Sequence, residues 1–261
     1  MSANIHLLIR GDDAGLYPGV TDAVLAAAEA GLLRNTSIMV PAPAFADAAA
    51  RLRQVPGLCL GLHATINSEW VTPRWGPVLP TAQVPSLVDA AGWFYPLPHQ
   101  TSAAGVKLDE VMAEVQAQLA RARAAGLPIA YLDTHCCFEW FEHFAMGARL
   151  REFARAEGLV IDRELPGLPP VEGEFANDCA RLIAQLEAAP PGCYKLVCHL
   201  GRDDDAMRAL LPSWIADPQP GAVARDRAAE AALLTDPALI DYCRTHGVAC
   251  IRYTDLPAVE A

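Results

Sequence analysis

Five residues able to hold a cation or to move a proton fall at the carboxyl ends of predicted strands. Asp12 and Asp13 follow the first predicted strand. His63 ends the third, His135 follows the fourth and His199 ends the sixth. The carboxyl ends of parallel strands share one face of a barrel or an open α/β sheet, so these side chains are expected to converge. Because one carboxylate and two imidazoles suit a divalent ion and leave coordination positions open, the sequence predicts a catalytic metal site.

The adjacent carboxylates of Asp12 and Asp13 are best explained if each has a different role. Successive side chains at a strand end point in different directions, so one can reach an ion while the next reaches the water beside it. A bound ion lowers the pKa of water from about 15.7 towards roughly 7, so the second carboxylate needs only modest basicity. The pair therefore predicts one metal ligand and one proton acceptor.

Each of these residues also has a purely structural explanation. A pair of aspartates at the start of a loop often caps a helix, and Asp13 before the turn at residues 15–18 could do only that. A single histidine in an apolar strand, such as His63, is more often a hydrogen-bonded core residue than a metal ligand. The same holds for His135 taken alone. The coincidence at equivalent strand ends, rather than any one residue, favours the metal site.

Short apolar runs alternate with longer amphipathic segments along the whole chain. The runs predict strands at residues 5–10, 37–40, 59–63, 129–133, 159–162, 194–199 and 248–253. The amphipathic segments predict helices at residues 20–33, 45–54, 108–125, 141–157, 175–188, 222–234 and 237–246. Near-continuous apolar strands are typical of parallel sheets buried on both faces, and the alternation indicates right-handed βαβ units. Between a barrel and an open doubly wound sheet, we favour an α/β fold with a distorted, incomplete TIM-like (β/α) barrel of about seven parallel strands.

Two long interruptions, residues 67–106 and 201–221, are rich in Pro and Gly. Long loops in compact domains are usually functional. Trp70, Trp75 and Trp93 lie in the first loop and Trp140 near the fourth strand, where they could stack on sugar rings or anchor loops to the barrel. Trp70, Trp140 and Asn67 are the candidate substrate-binding residues.

Composition excludes some classes of partner. The 261-residue chain is 52% hydrophobic and 20% charged, which is typical of a folded protein with a large core, and one domain over residues 1–261 is expected. Its formal net charge is −11. Nucleic-acid binding needs Lys and Arg to displace counterions, so nucleic acid is not an expected partner.

The chain is expected to be soluble and cytoplasmic. Its apolar start breaks into Arg10, Asp12 and Asp13 before it could serve as a signal-peptide core, and no segment offers about 20 uninterrupted apolar residues for a membrane span. The eight cysteines include no CxxC pair, so we expect them to be reduced and mostly buried. The residues leave the oligomeric state open, a homodimer included.

Several motifs resemble one known family. LLIRGDDAGL resembles the N-terminal NADDFG signature of the YdjC/ChbG-like carbohydrate deacetylases, relatives of the broader polysaccharide deacetylases. LCLGLHATIN is similar to the family's GLH strand end, IAYLDTHCCFEW to its HLDSHHHVH segment, and YKLVCHLG to its CHPG segment. The order of these motifs is shared, and the resemblance spans nearly the whole chain.

The resemblance implies a TIM-like barrel, a divalent ion, and hydrolysis of N-acetyl or similar acyl groups on sugars. By motif position, Asp12 is the general base, and the metal ligands are Asp13, His63 and His135. His199 is a candidate general acid or oxyanion stabiliser. The strand-end positions and the motifs thus select the same residues.

The donor set leaves the metal open, and two departures from the family pattern leave the sugar open. Asp with two His favours Zn²⁺, while Mn²⁺, Co²⁺ and Mg²⁺ stay open because selectivity also depends on availability. Cys136 and Cys137 stand where the family commonly has further histidines, which makes the rim partly apolar, and Leu200 replaces the proline of CHPG. The family pattern therefore does not identify the sugar.

Two other functions remain open at this point. One is a metal-dependent hydrolase acting on an amide or ester that is not a sugar. The other is a catalytically silent sugar-binding protein that keeps the metal site, since a fold alone does not guarantee activity.

Overall fold

Seven parallel strands form one curled sheet that closes only part of a barrel. The structure is a computed structural model that describes residues 5–140, 144–162 and 165–256, without the side chains at positions 139, 140 and 144. The strands are β1 (Ile5–Ala14), β2 (Asn35–Ile38), β3 (Cys59–Ala64), β4 (Ile129–Thr134), β5 (Val160–Ile161), β6 (Gly192–Cys198) and β7 (Ala249–Cys250). Their order is β5-β4-β3-β2-β1-β6, with β7 paired to the first residues of β1. The predicted incomplete barrel is confirmed.

Helices connect the strands and cover the outside of the sheet. They are α1 (Pro18–Glu29), α2 (Phe45–Leu52), α3 (Pro98–Ala103), α4 (Leu108–Ala124), α5 (Phe144–Ala156), α6 (Asp178–Ala188), α7 (Asp205–Arg208), α8 (Ala222–Leu234) and α9 (Pro237–His246). Across the described part of the chain, none of them combines the length and the apolar character that a bilayer crossing requires. All eight cysteines are free thiols, as expected, and four of them are buried.

Among the boundaries that differ from the prediction, two helix ends are decided by local turn signals. The sequence predicts a helix to residue 33, but α1 ends at Glu29, just before Gly31 adopts a φ of 91°. A left-handed glycine is a common way to end a helix. The helix predicted from residue 175 begins at Asp178, where the side chain of Asn177 accepts the N–H of Ala180 and caps it. The first three residues of the helix predicted at 141–157 lie outside the described residues.

The two long interruptions meet at one end of the sheet. In the first, buried Glu114 of α4 accepts the N–H groups of Val78 and Leu79 at 2.8 and 3.0 Å, which fastens the loop to that helix. In the second, Pro212 forms an antiparallel bridge with Trp70 of the first. The loops therefore hold each other in place beside the strand ends.

A tight aromatic contact fills the inside of the sheet. The buried ring of Tyr131 on β4 stacks on Tyr253 with a centroid distance of 4.0 Å. The ring lies so close to Gly61 on β3 that a Cβ there would sit 2.2 Å from it. Only a glycine leaves room for the tyrosine at this position.

Replacing Gly61 with alanine is expected to destabilise the fold, because an overpacked core costs about 1–3 kcal/mol. The measurement is the free energy of unfolding in denaturant. Gly167→Ala is the matched control, since a Cβ at Gly167 meets no atom within 4 Å. Equal stability of the two variants would show that the Tyr131 packing is not as tight as described.

Candidate metal centre and active site

The end of β1 is distorted where it carries the two aspartates. The strand runs through Asp12 and Asp13 to Ala14, beyond the predicted end at residue 10. Its register with β2 shifts between Gly11 and Ala14, and Asp13 has a φ of 64°. A bulge of this kind re-aims a side chain, and aspartate tolerates the left-handed conformation better than most residues. Both carboxylates consequently line one cavity.

Three of the predicted residues meet at this cavity. Oδ1 of Asp13 lies 3.4 Å from Nε2 of His63 and 3.2 Å from Nδ1 of His135. The two ring nitrogens are 3.2 Å apart. An ion with tetrahedral bonds of about 2.0–2.1 Å would have ligand atoms roughly 3.3 Å apart. The three atoms have the spacing of a metal-ligand set.

The environment of these atoms also fits a cation. Asp13, His63 and His135 are only 1, 2 and 5% exposed. Oδ1 of Asp13 is buried without a hydrogen-bond donor. A buried carboxylate oxygen without a partner is costly, and a bound cation would remove that cost. The oxygen and nitrogen donors suit a divalent ion, although their role as ligands stays a prediction.

Each histidine is oriented by a second carboxylate. Nδ1 of His63 donates to Oδ2 of Asp133 at 2.8 Å, and Nε2 of His135 donates to Oε2 of Glu69 at 2.8 Å. Such pairs fix the ring orientation and the tautomer, and they raise the basicity of the other ring nitrogen. In the neutral form of each ring, the nitrogen that faces the centre keeps its lone pair for an ion.

Arg227 on α8 completes the surroundings of Asp13. Its Nη2 donates to Oδ2 of Asp13 at 2.6 Å. Neither Arg227 nor Asp133 nor Glu69 was predicted from the sequence. Asp133 carried a signal, because it lies two residues before His135 at the end of a strand, a spacing that favours side chains on the same side. Glu69, which lies in a loop, had no comparable local signal.

Charge at the centre is balanced by these neighbours. Burial would raise the pKa of Asp13, but the guanidinium of Arg227 and the two adjacent imidazoles hold it well below its usual range. The carboxylate is thus ionised. The negatively charged Oδ1 of Asp13 then faces a ring nitrogen of each histidine at 3.2–3.4 Å, which favours a proton or a cation between them.

The metal-free histidines hold protons tightly. Burial lowers the pKa of His63, but the carboxylates of Asp133 and Asp12 outweigh it and raise the pKa to about 10. Burial also lowers the pKa of His135. Cys136 makes the largest contribution in the opposite direction, and the resulting pKa is well above its usual value. An ion entering the site must therefore displace protons.

Asp12 is held by an arginine from its own strand. Nε and Nη2 of Arg10 donate to the two oxygens of Asp12 at 2.6 and 2.8 Å. Nη1 of Arg10 also donates to Asp162 at 2.8 Å and to the hydroxyl of Tyr253 at 3.2 Å. A two-point contact fixes the plane of a carboxylate.

His199 lies on the rim of the same cavity and is exposed. Its backbone N–H donates to Oε2 of Glu230 on α8 at 2.6 Å. Burial raises the pKa of Glu230, opposed by that hydrogen bond. The rim thus combines an imidazole with a carboxyl group of raised pKa.

The three predicted substrate-binding residues have different surroundings. Trp70 is buried, lines the cavity, and has the guanidinium of Arg227 5.9 Å from its ring centroid. Asn67 is fully buried, donates to Thr101 at 3.0 Å, and is not among the cavity-lining residues. The side chain of Trp140 lies outside the described residues. Sugar contact by these residues stays a prediction.

The cavity has a volume of about 980 Å³ and joins the metal-ligand set to Asp12, His199 and Glu230. Cys136 and Cys137 border it with φ values of 56° and 50°. Strained residues of this kind cluster at active sites. The cavity is large enough for a ligand of sugar size.

Comparison with known proteins finds one family model and several related sequences. Residues 6–161 match the family model for YdjC-like proteins. A carbohydrate deacetylase of Thermoanaerobacter pseudethanolicus is 32% identical over 96% of this chain and 99% of that protein. A carbohydrate deacetylase of Enterococcus faecalis is 33% identical over 51% of this chain, and the match spans 49% of that relative, about half its length.

A solved structure gives the same fold. It is named as a candidate cellobiose-phosphate cleavage protein of Enterococcus faecalis, and it superposes with a TM-score of 0.77. The match covers 96% of this chain and 98% of that one at 22% identity. At this identity the likeness concerns the arrangement of strands and helices alone.

Metal affinity is expected to rise with pH between 6.5 and about 10, because His63 must lose its proton to bind an ion. The metal-free fold should show the opposite trend. The pKa of His63 is higher in the folded protein than in the unfolded chain, so its protonation stabilises the fold fully below pH 6.5. This stabilisation is lost as the pH rises through about 10. Chelator competition across this window, with proton release recorded, measures the first trend, and thermal unfolding of chelated protein measures the second. A pH-independent affinity without proton release would contradict the described charge state.

Proposed function

We propose that this chain, which belongs to the YdjC-like protein family, removes acetyl or similar acyl groups from N-acylated sugars with the help of a divalent ion. The observation that carries the proposal is the centre formed by Asp13, His63 and His135. Its three donor atoms lie 3.2–3.4 Å apart, and one of them is a buried carboxylate oxygen. The names of the relatives supply the class of substrate.

The ion would be held by Asp13, His63 and His135. When bound, it supplies Lewis acidity and lowers the pKa of water. Zn²⁺ suits the oxygen and nitrogen donors best, and Mn²⁺, Co²⁺ and Mg²⁺ are the alternatives. Asp133 and Glu69 contribute by orienting the two rings.

Asp12 is the proposed general base. It lines the same cavity and is near enough to His63 to raise the pKa of that ring. An ionised carboxylate has about four lone-pair sites, and Arg10 occupies one on each oxygen. Lone pairs therefore remain to accept a proton from water. The fixed plane of the carboxylate lowers the entropic cost of placing the base.

His199 is the proposed proton donor to the leaving nitrogen. Hydrolysis of an amide requires a proton on the departing amine, and His199 lies on the rim of the cavity. Its backbone is fixed by Glu230. His199, the proposed acid, follows β6, and Asp12, the proposed base, belongs to β1. The acid and the base therefore come from separate elements.

Assays of binding and of acetate release distinguish this function from two alternatives. A hydrolase of non-sugar amides or esters would leave N-acetylated sugars intact and cleave such compounds. A silent sugar-binding protein would bind both metal and sugar without releasing acetate. The expectations of a cytoplasmic location and of no nucleic-acid partner stay predictions.

Replacing Asp12 with asparagine should leave metal binding intact and lower acetate release by about 10²- to 10⁴-fold, the usual contribution of a positioned base. The measurement is acetate release from N-acetylated mono- and disaccharides by zinc-loaded protein, with metal content determined on the same samples. Exposed Asp241 on α9 provides the matched control, and Asp241→Asn should behave as wild type. Wild-type turnover by a metal-loaded Asp12→Asn variant would exclude Asp12 as the base.

A further inference from the structure

The two edges of the open barrel carry oppositely charged side chains that meet inside it. Among the described strands, β5 and β6 stand at the two ends of the order, so the barrel is open between them. Asp162 directly follows β5, and Nζ of Lys195 on β6 donates to both of its carboxylate oxygens at 3.1 Å. The N–H of Asp162 donates to the carbonyl of Leu132 on β4 at 2.8 Å, which fixes its backbone. An ion pair thus spans the opening.

Asp162 also binds the arginine that holds the proposed base. Its carboxylate accepts Nη1 of Arg10 at 2.8 Å and the hydroxyl of Tyr253 at 2.6 Å. The two other nitrogens of Arg10 donate to Asp12. Asp162, Arg10 and Asp12 all line the cavity. Because a guanidinium is planar and rigid, a contact that fixes one nitrogen also fixes the direction of the other two.

A second carboxylate competes for the same nitrogen of Arg10. Oδ2 of Asp133 lies 3.2 Å from Nη1, and it also accepts Nδ1 of His63. A buried charge is stabilised by its counter-charges, so loss of the charge on Asp162 would draw the guanidinium towards Asp133. That movement would tilt Arg10 out of the plane of Asp12. Asp162 therefore balances the attraction of Asp133.

We propose that Asp162 is a positioning residue, which orients the proposed base Asp12 through Arg10. The inference rests on the proposed function, because it takes Asp12 as the acceptor of the proton from water. The side chain of Asp162 is only 24% exposed and binds donors from Arg10, Lys195 and Tyr253, so its own position is well defined. Since the orientation of a base matters when the proton moves, Asp162 should influence kcat more than KM.

The first test replaces Asp162 with asparagine, which keeps the shape of the side chain and removes its charge. For acetate release from N-acetylglucosamine by zinc-loaded protein, kcat should fall about 10- to 100-fold, because a misplacement of about 1 Å can cost about 10²-fold. KM and zinc content should stay nearly unchanged. Tyr253→Phe removes the hydroxyl bound to both Asp162 and Arg10 and should act in the same direction. It takes the place of Asp162→Asn if that variant does not fold.

A double-mutant cycle shows whether Asp162 acts through Arg10. Arg10→Lys keeps the charge but cannot bind both oxygens of Asp12, so Asp162→Asn should have little further effect on kcat in that background. Asp22→Asn is the matched control and should behave as wild type. Asp22 is also a part-buried partner of arginine side chains, but it does not line the cavity. A wild-type kcat of Asp162→Asn, or equal losses in both backgrounds, would overturn the proposal.

A measurement without turnover separates this inference from the proposed function. NMR follows the Nε–H of Arg10 in zinc-loaded protein without substrate, and the signal is assigned by its loss in Arg10→Lys. Exchange of this proton with water should be slow in wild type, because Asp12 accepts it at 2.6 Å. Exchange that is several-fold faster in Asp162→Asn, but not in Asp22→Asn, supports the positioning role even if wild type releases no acetate. Unchanged exchange in Asp162→Asn would overturn it, whatever the activity.

Discussion

Three buried electron-pair donors within 3.4 Å of one another are the constraint on which this structure depends. Lone pairs held so closely away from water are unfavourable unless a cation is shared between them. In the metal-free protein a proton can supply that positive charge, since the pKa of His63 is raised to about 10. The bulge at Asp13 and the carboxylate partners of the rings keep the donors in place. The site is thus organised before an ion arrives.

The strands and the loops contribute different residues to this centre. The ends of β1 and β3 carry Asp13 and His63, His135 follows β4, and these strands belong to one parallel sheet. The loops and α8 carry the groups that orient the ligands and border the cavity. Glu69 and Trp70 are adjacent in one loop, so the same segment orients His135 and faces the cavity. Changes in this loop would therefore alter the support of His135 and the shape of the cavity together.

The strand ends could be predicted because they follow local patterns. Apolar runs marked the strands, and the position of Asp13, His63 and His135 at their ends predicted that they would meet. The family resemblance is also confirmed. The bulge at Asp13 and the contacts that Glu69 and Arg227 make could not be predicted, since they depend on how distant loops and helices pack. The helix end at Glu29 was missed because Gly31 was not recognised as its stop.

X-ray absorption spectroscopy of the zinc-loaded protein tests the metal centre most directly. We expect one ion per chain with oxygen and nitrogen ligands at about 2.0–2.1 Å, including the scattering of two imidazole rings. Cys136 lies beside His135 and offers a competing thiol ligand. Sulfur at about 2.3 Å, or a spectrum without imidazole scattering, would contradict the assignment of Asp13, His63 and His135 as the metal ligands.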